Sequence, residues 1–266
     1  MVRKRQESMT ANSVNYDRCA TDYEQRYSKQ SYSKVRSALL SLAHKPGIQR
    51  LLEVGCGTGH WLRELQRASL STLGVDPSIR MLKEARLRDP GAHVACARAE
   101  ELPLADCIFD FVFCVNAFHH FEQPASFVSE ARRVLRQGGR LAIIGLDPHE
   151  SGTVWYLYKY FAGTYERDLK RYKPQREIAR MLGDAGFADT TTRQVEHLSR
   201  TFANAEVLND PFLRKDSTSQ LSLLPDSDYV ASLQRIHDTI HEAKGKEGPT
   251  LFRIELSLSM VSGRVR

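Results

Sequence analysis

Between residues 50 and 145, short apolar runs alternate with stripes at helical spacing. Arg50-Leu51-Leu52-Glu53-Val54 is an apolar run that stops at glycines, which predicts a buried strand followed by a tight turn. Trp61, Leu62 and Leu65 predict a helix, Ser71 to Val75 a second strand ending at Asp76-Pro77, and Ile79, Met81, Leu82 and Ala85 another helix. Ala92 to Ala97 reads as a third strand, and Phe109 to Val115 is the strongest strand pattern in the chain. Phe127, Val128, Ala131, Val134 and Leu135 form a helical stripe, with Gly138-Gly139 read as its C-cap turn. Arg140 to Gly145 is a fifth strand. Such alternation with short loops predicts a parallel sheet covered by helices on both faces.

The flanks are less regular. Tyr16, Tyr23 and Tyr27 fall on one face of a possible helix, and Val35, Leu39, Leu40 and Leu42 predict a second helix, ended by Lys45-Pro46-Gly47. After the fifth strand, Trp155 to Phe161 and Gln175 to Ala185 read as helices. Ala188 to His197 and Thr250 to Val261 alternate as strands do and are expected to pair antiparallel at the sheet's edge. Between them lies a stretch with a helical pattern from Asp226 to Ala243, expected to be a lid or substrate wall. The expected layout is a basic tail over 1–13 and a single domain over 14–266. That domain divides into a helical cap (14–48), a core (49–146) and a further half (147–266) with an insertion at about 200–248.

Composition narrows the class. The 266 residues are 41% hydrophobic and 26% charged, as in an ordinary globular chain. No stretch approaches the roughly 20 apolar residues needed to span a bilayer. The net charge of +6 is interspersed, apart from Arg3, Lys4 and Arg5, which read as a solvated tail without the apolar segment of a secretory leader. The five cysteines make an odd number without a Cys-x-x-Cys, which predicts reduced thiols, a cytoplasmic setting and no metal site.

The central chemistry is Glu53-Val54-Gly55-Cys56-Gly57-Thr58-Gly59, placed after a strand and before a helix, where glycines let the backbone approach a ligand. Asp76 stands 21 residues beyond Gly55 (76 less 55) at the end of the next strand, where a carboxylate accepts both hydroxyls of a ribose. The pair points to an adenosine-containing ligand. His60 occupies the place where a dinucleotide fingerprint has its last small residue, and the Gly-Lys-Ser/Thr of a P-loop is absent. Glu53 would repel pyrophosphate and suits a cationic moiety, such as the sulfonium and ammonium of S-adenosylmethionine.

Leu51 to Gly59, Gly74-Val75-Asp76-Pro77-Ser78, Ala99 to Pro103, Phe109 to Val112 and Val134 to Gly139 occur in an order that resembles class I S-adenosylmethionine-dependent methyltransferases. The resemblance covers about residues 15 to 145. It is greatest to the subgroup acting on small molecules, which includes the ubiquinone and menaquinone methyltransferases. It implies an α/β, Rossmann-like fold: a mostly parallel seven-stranded sheet with an antiparallel edge strand, an N-terminal helical cap and an insertion before the last strand. It also implies roles. Glu53 and the loop with Gly55, Cys56, Gly57 and Gly59 would hold the methionine end of S-adenosylmethionine, and Asp76, followed by Pro77, the ribose. Arg98, Ala99 and Glu100 would flank the adenine, and Asn116 would lie near the methyl group. Met81 is either core or a cover for the adenine. Arg98 departs from the family, which often has an acceptor there for the adenine amine; arginine only donates.

Methyl transfer from a sulfonium needs alignment above all, and a base only where the acceptor must lose a proton. His119 and His120, after the fourth strand, are the candidates; packed loop residues are the plainer reading. Tyr16, Tyr23 and Tyr27 could close over the site, and Trp155 and Tyr156 could form an aromatic substrate wall, though each set also reads as core packing. No cysteine follows Cys114, which argues against arsenite as acceptor, and no basic aromatic platform or Asn-Pro-Pro-Tyr motif speaks for nucleic acid. A small-molecule acceptor is the leading expectation. RNA methylation and a non-catalytic scaffold that activates a partner stay as alternatives.

Overall fold

The computed structural model describes residues 32–68, 70–243 and 247–266. The proposed tail, Tyr16, Tyr23, Tyr27 and Cys19 lie outside the described residues. The elements follow the chain as α1 (Ser33–Ala43), β1 (Arg50–Val54), α2 (His60–Gln66), β2 (Ser71–Asp76), α3 (Ile79–Arg88), β3 (Val94–Cys96) and β4 (Phe109–Val115). Next come α4 (Pro124–Val134), β5 (Leu135–Leu146), β6 (Val154–Trp155), α5 (Tyr156–Tyr160), α6 (Thr164–Arg171) and α7 (Gln175–Asp184). The chain ends with β7 (Phe187–Ala203), α8 (Ser219–Ser222), α9 (Asp226–Glu242) and β8 (Leu251–Val265).

One sheet runs in the order β3-β2-β1-β4-β5-β8-β6, with β7 on the other side of β8. The pairs from β3 to β5 are parallel, whereas β8 is antiparallel to β5, β6 and β7. The Rossmann-like architecture is the expected one. The antiparallel strand β8 lies one place in from the edge that β7 forms, and the two-residue β6 makes the described strands eight.

Alternation along the strands divides the apolar side chains between two layers. Leu51, Phe111, Phe113 and Ile144 face α1 and much of the 200–248 stretch, while Leu52, Val112, Cys114 and Ile143 face α4 and α7. All seven residues of β4 are buried, as a central parallel strand requires. Val207, Phe212, Leu221 and Ile236 belong to the first layer, so the insertion is packed into the core.

Two readings of the sequence need correction here. α4 ends at Val134 and Leu135 already pairs with Phe109, so Gly138-Gly139 does not cap a helix; it lies in an irregular part of β5, with Gly138 at φ 78°. Trp155 and Tyr156 do not form a substrate wall. Both are buried, Trp155 edge-on to Tyr158 and Phe212, and Tyr156 against Phe202 and Phe252 with its hydroxyl donated to Asp210 at 2.7 Å. An aromatic cluster at helical spacing found its partners in the insertion and β8.

Asp110, on β4, fixes where β1 begins. Its carboxylate accepts from the Gln49 and Arg50 N–H groups at 2.6 and 2.8 Å and pairs with Arg136 at 2.7 Å. Replacing Asp110 by Ala should lower stability by about 2–4 kcal/mol, because it orphans charge-assisted hydrogen bonds at a buried position. Equilibrium urea unfolding checks this; a loss under 1 kcal/mol would contradict the role.

Candidate active site

The strand order reverses between β1 and β4, and the loops following β1, β2 and β4 leave the sheet at the same carboxyl edge, where folds of this kind hold ligands. The turn after β1 is made by Gly55, Gly57 and Gly59 at φ 76°, 52° and 75°, in the left-handed region that glycine enters without strain. Gly55 is also required by space, since a Cβ there would lie 2.5 Å from Ala117 Cβ. The Gly55 and Cys56 N–H groups donate to Val75 O at 2.8 and 3.0 Å, which locks the turn onto β2.

Asp76 then ties loop to loop. One carboxylate oxygen accepts from Gly57 N–H and the other from Ser78 N–H, each at 2.9 Å. Ser78 caps α3 by accepting from Met81 N–H at 3.2 Å.

Glu53 is 1% exposed, and its Oε2 is buried with no hydrogen-bond partner among the described residues. Burial first, and the neighbouring Asp76 charge second, raise its pKa well above the ordinary carboxylate value; the Arg63 charge and the Leu62 N–H pull the other way. An orphaned carboxylate oxygen beside a glycine turn fits a ligand that brings a cationic hydrogen-bond donor.

On the other side of the switch point, Asn116 adopts φ 51° and donates its N–H to Ile144 O at 2.8 Å. Asn116 and His119 line a pocket with Gly145, Tyr172, Lys173 and Gln175, between the ends of β4 and β5 and the start of α7. The His119 ring stacks on Tyr172 with centroids 4.0 Å apart at 12°, and on its other contact lies His120 at 3.9 Å.

The model of the methyltransferase domain family matches residues 52–143. An uncharacterized methyltransferase of Synechocystis sp. is 30% identical over 151 residues, 56% of this chain and 71% of that protein. The chain belongs to the class I S-adenosylmethionine-dependent methyltransferases. A solved putative methyltransferase from an antibiotic biosynthesis pathway of Anabaena variabilis shares the fold of this methyltransferase, with a TM-score of 0.67, 21% identity and coverage of 86% of this chain and 96% of that one. An uncharacterized protein in a transposon of Streptomyces fradiae is 33% identical over 73% of this chain, which spans 57% of that protein's length. A phthiotriol/phenolphthiotriol dimycocerosates methyltransferase of Mycobacterium leprae is 31% identical over 54% of this chain and 56% of its own length.

Of the residues named from the sequence, this methyltransferase brings Glu53, Gly55, Cys56, Gly57, Gly59, Asp76 and Pro77 together at the carboxyl ends of β1 and β2. It sets Asn116, His119 and His120 beside them. Met81, on α3, is 2% exposed. Arg98 is turned to carboxylates: its guanidinium lies 2.7 Å from Glu122 and 3.6 Å from Glu100. Glu100 accepts from the Glu122 and Gln123 N–H groups at 2.8 and 3.3 Å, so Arg98 and Glu100 join the loop after β3 to the loop before α4, with the buried Ala99 between them. Among the described residues no helix is long and apolar enough to cross a membrane, and no cluster of His, Cys, Asp or Glu could hold a metal.

Tyr172 and Gln175 were not read from the sequence as site residues. A signal existed: Lys173-Pro174-Gln175 opens a helix after the fifth βα unit, and so at the ligand-bearing end of the sheet.

A carboxyl with a raised native pKa holds its proton more tightly folded than unfolded. Its effect is therefore a stability that falls as pH rises, from the ordinary value of about 4.5 upward through the raised native value. Glu53→Gln, without ligand, should be more stable than the parent at pH 8 by about 0.5–2 kcal/mol and show a flatter pH dependence. Chemical denaturation from pH 5 to 8 tests this, and a variant less stable at pH 8 would refute it.

Proposed function

We propose that the chain transfers a methyl group from S-adenosylmethionine to a small-molecule acceptor carrying an O, N or C nucleophile. The observation that carries the reading is the pairing of the glycine cradle and orphaned Glu53 on one side of the switch point with the His119 pocket on the other. In this reading Glu53 and the 55–59 turn take the methionine end of the cofactor, Asp76 the ribose and Pro77 and Ala99 the adenine. When bound, the cofactor supplies a methyl group already activated on a sulfonium.

The chain's own contribution is alignment and exclusion of water. Holding two reactants in line supplies on the order of 7–11 kcal/mol. In this reading Asn116 lies near the reacting methyl, and His119 or His120 receives an acceptor's proton. The pocket is walled by Tyr172, Ile143 and Ile178 and is bounded by α7. The likeness to the M. leprae phthiotriol/phenolphthiotriol dimycocerosates methyltransferase supports a small-molecule acceptor. The four described cysteines are free thiols, in keeping with the reducing conditions of a cytoplasm.

Calorimetric titration with S-adenosylhomocysteine, followed by a screen of phenols, amines and activated carbon acids with labelled methyl donor, tests the proposal. Asp76→Ala should weaken S-adenosylhomocysteine binding 10- to 150-fold, corresponding to loss of about 1.5–3 kcal/mol of charge-assisted hydrogen bonding. No binding by the parent protein would refute the cofactor reading. Binding without turnover of any acceptor class would favour a scaffold.

A further inference from the structure

The insertion reaches the His119 pocket through two buried side chains of α8, Ser219 and Gln220. Gln220, in α8, is 4% exposed. Its Nε2 lies 2.6 Å from Asp168 Oδ2 and 3.3 Å from the Tyr172 hydroxyl. Asp168 is fully buried and also accepts from the Tyr158 hydroxyl at 2.8 Å. The offset of the Tyr172–His119 stack brings the Tyr172 hydroxyl to 3.1 Å from His119 Nε2.

Counting donors and acceptors gives this chain a direction. Asp168 Oδ2 accepts from Tyr158, and the amide atom of Gln220 that faces the same oxygen must therefore be its NH2. The second hydrogen of that NH2 points to the Tyr172 oxygen. The Tyr172 hydrogen is then directed to His119 Nε2, because the Ser219 hydroxyl, which also meets the Tyr172 oxygen, already accepts from Arg171 at 2.9 Å and donates to Gln220 Oε1 at 3.4 Å. An N–H at Nε2 would instead set two hydrogens against each other across the 3.1 Å contact and forfeit a buried hydrogen bond. Burial, and then the Asp168 charge, push the Tyr172 pKa up, so the phenol keeps its proton.

We infer that Tyr172, oriented by Gln220 of the insertion, is a positioning residue that holds His119 in the tautomer protonated at Nδ1, with the Nε2 lone pair ready to take an acceptor's proton. This rests on the reading of His119 as the group that meets the acceptor. In the step, an acceptor O–H or N–H replaces the phenol at Nε2, the acceptor atom bonds the methyl carbon as the carbon–sulfur bond breaks, and the proton passes to Nε2. The ring becomes an imidazolium and returns its proton to water. The insertion would thus set the protonation pattern of a residue about a hundred positions earlier in the chain.

The test needs no acceptor. The full chain, with its nine histidines labelled with 15N, is examined by long-range proton–nitrogen correlation, with His119 assigned by its loss in His119→Gln. The parent should show an unprotonated Nε2 and a protonated Nδ1. Tyr172→Phe keeps the stack and removes the hydroxyl, and should shift the ring to the Nε2–H form that free histidine prefers; Gln220→Met should shift it part of the way. S-adenosylhomocysteine affinity should stay within about twofold in both variants. An Nε2–H tautomer in the parent, or an unchanged tautomer in Tyr172→Phe, overturns the inference. Failure of the parent to bind S-adenosylhomocysteine would instead overturn the cofactor reading, and the two failures are told apart.

Discussion

A carboxylate buried at the end of the central strand governs the open edge of this sheet. Glu53 pairs in register with Gly74 on one side and Phe113 on the other, so it has strands for neighbours rather than water. A bare ionised carboxylate in such a place costs several kcal/mol. The surroundings are arranged around it: Gly74 has no side chain because a Cβ there would lie 2.5 Å from Leu62 Cδ1 and 2.7 Å from Cys56 Sγ. Arg63 lies near enough to lower the cost but donates to Thr58 O at 2.7 Å, leaving Glu53 Oε2 unpartnered. A cationic ligand would complete what the fold leaves incomplete, so binding free energy and folding strain meet at one atom.

Topology turns that constraint into a site. β1 has β2 and β4 as parallel neighbours, and strands in a sheet lie about 4.8 Å apart. The glycine turn, Asp76 and Asn116 therefore converge because each is the first or last residue at the same end of adjacent strands. Their positions are set by the sheet, which moves little, and their orientations by backbone hydrogen bonds to Val75 and Ile144. A ligand that spans the turn and Asn116 bridges both sides of the switch point.

How far this could be read from the sequence depended on how local the cause was. Glycine turns, the Asp76-Pro77-Ser78 cap and the all-apolar β4 are written in consecutive residues, and the parallel core followed from them. β7 was read over Ala188 to His197, although it runs from Phe187 to Ala203; its two register shifts fall inside the part that was read, and the regular stretch beyond His197 was missed. Trp155 and Tyr156 left two readings open, a substrate wall or core packing, because an aromatic run has the same spacing whether it faces a ligand or the core, and both are buried. Tyr172 was invisible for a different reason: its meaning lies in His119, 53 residues away, and in Gln220, 48 residues away.

The same contrast explains why the chain announces its cofactor more clearly than its acceptor. The cofactor side is built from backbone N–H groups, left-handed glycines and two carboxylates, all within residues 53–76. Few sequences can make that geometry, and the family match runs over 52–143. The acceptor side is built from side chains that arrive from α6, α7 and α8 after long excursions, and any residues that pack can serve. Phe212, Leu221 and Ile236 share a core layer with Phe111 and Phe113, so the insertion and the central strand stand or fall together. The same layer takes in Trp61 of α2, the helix that follows the glycine turn, so the insertion is coupled through the core to both sides of the switch point.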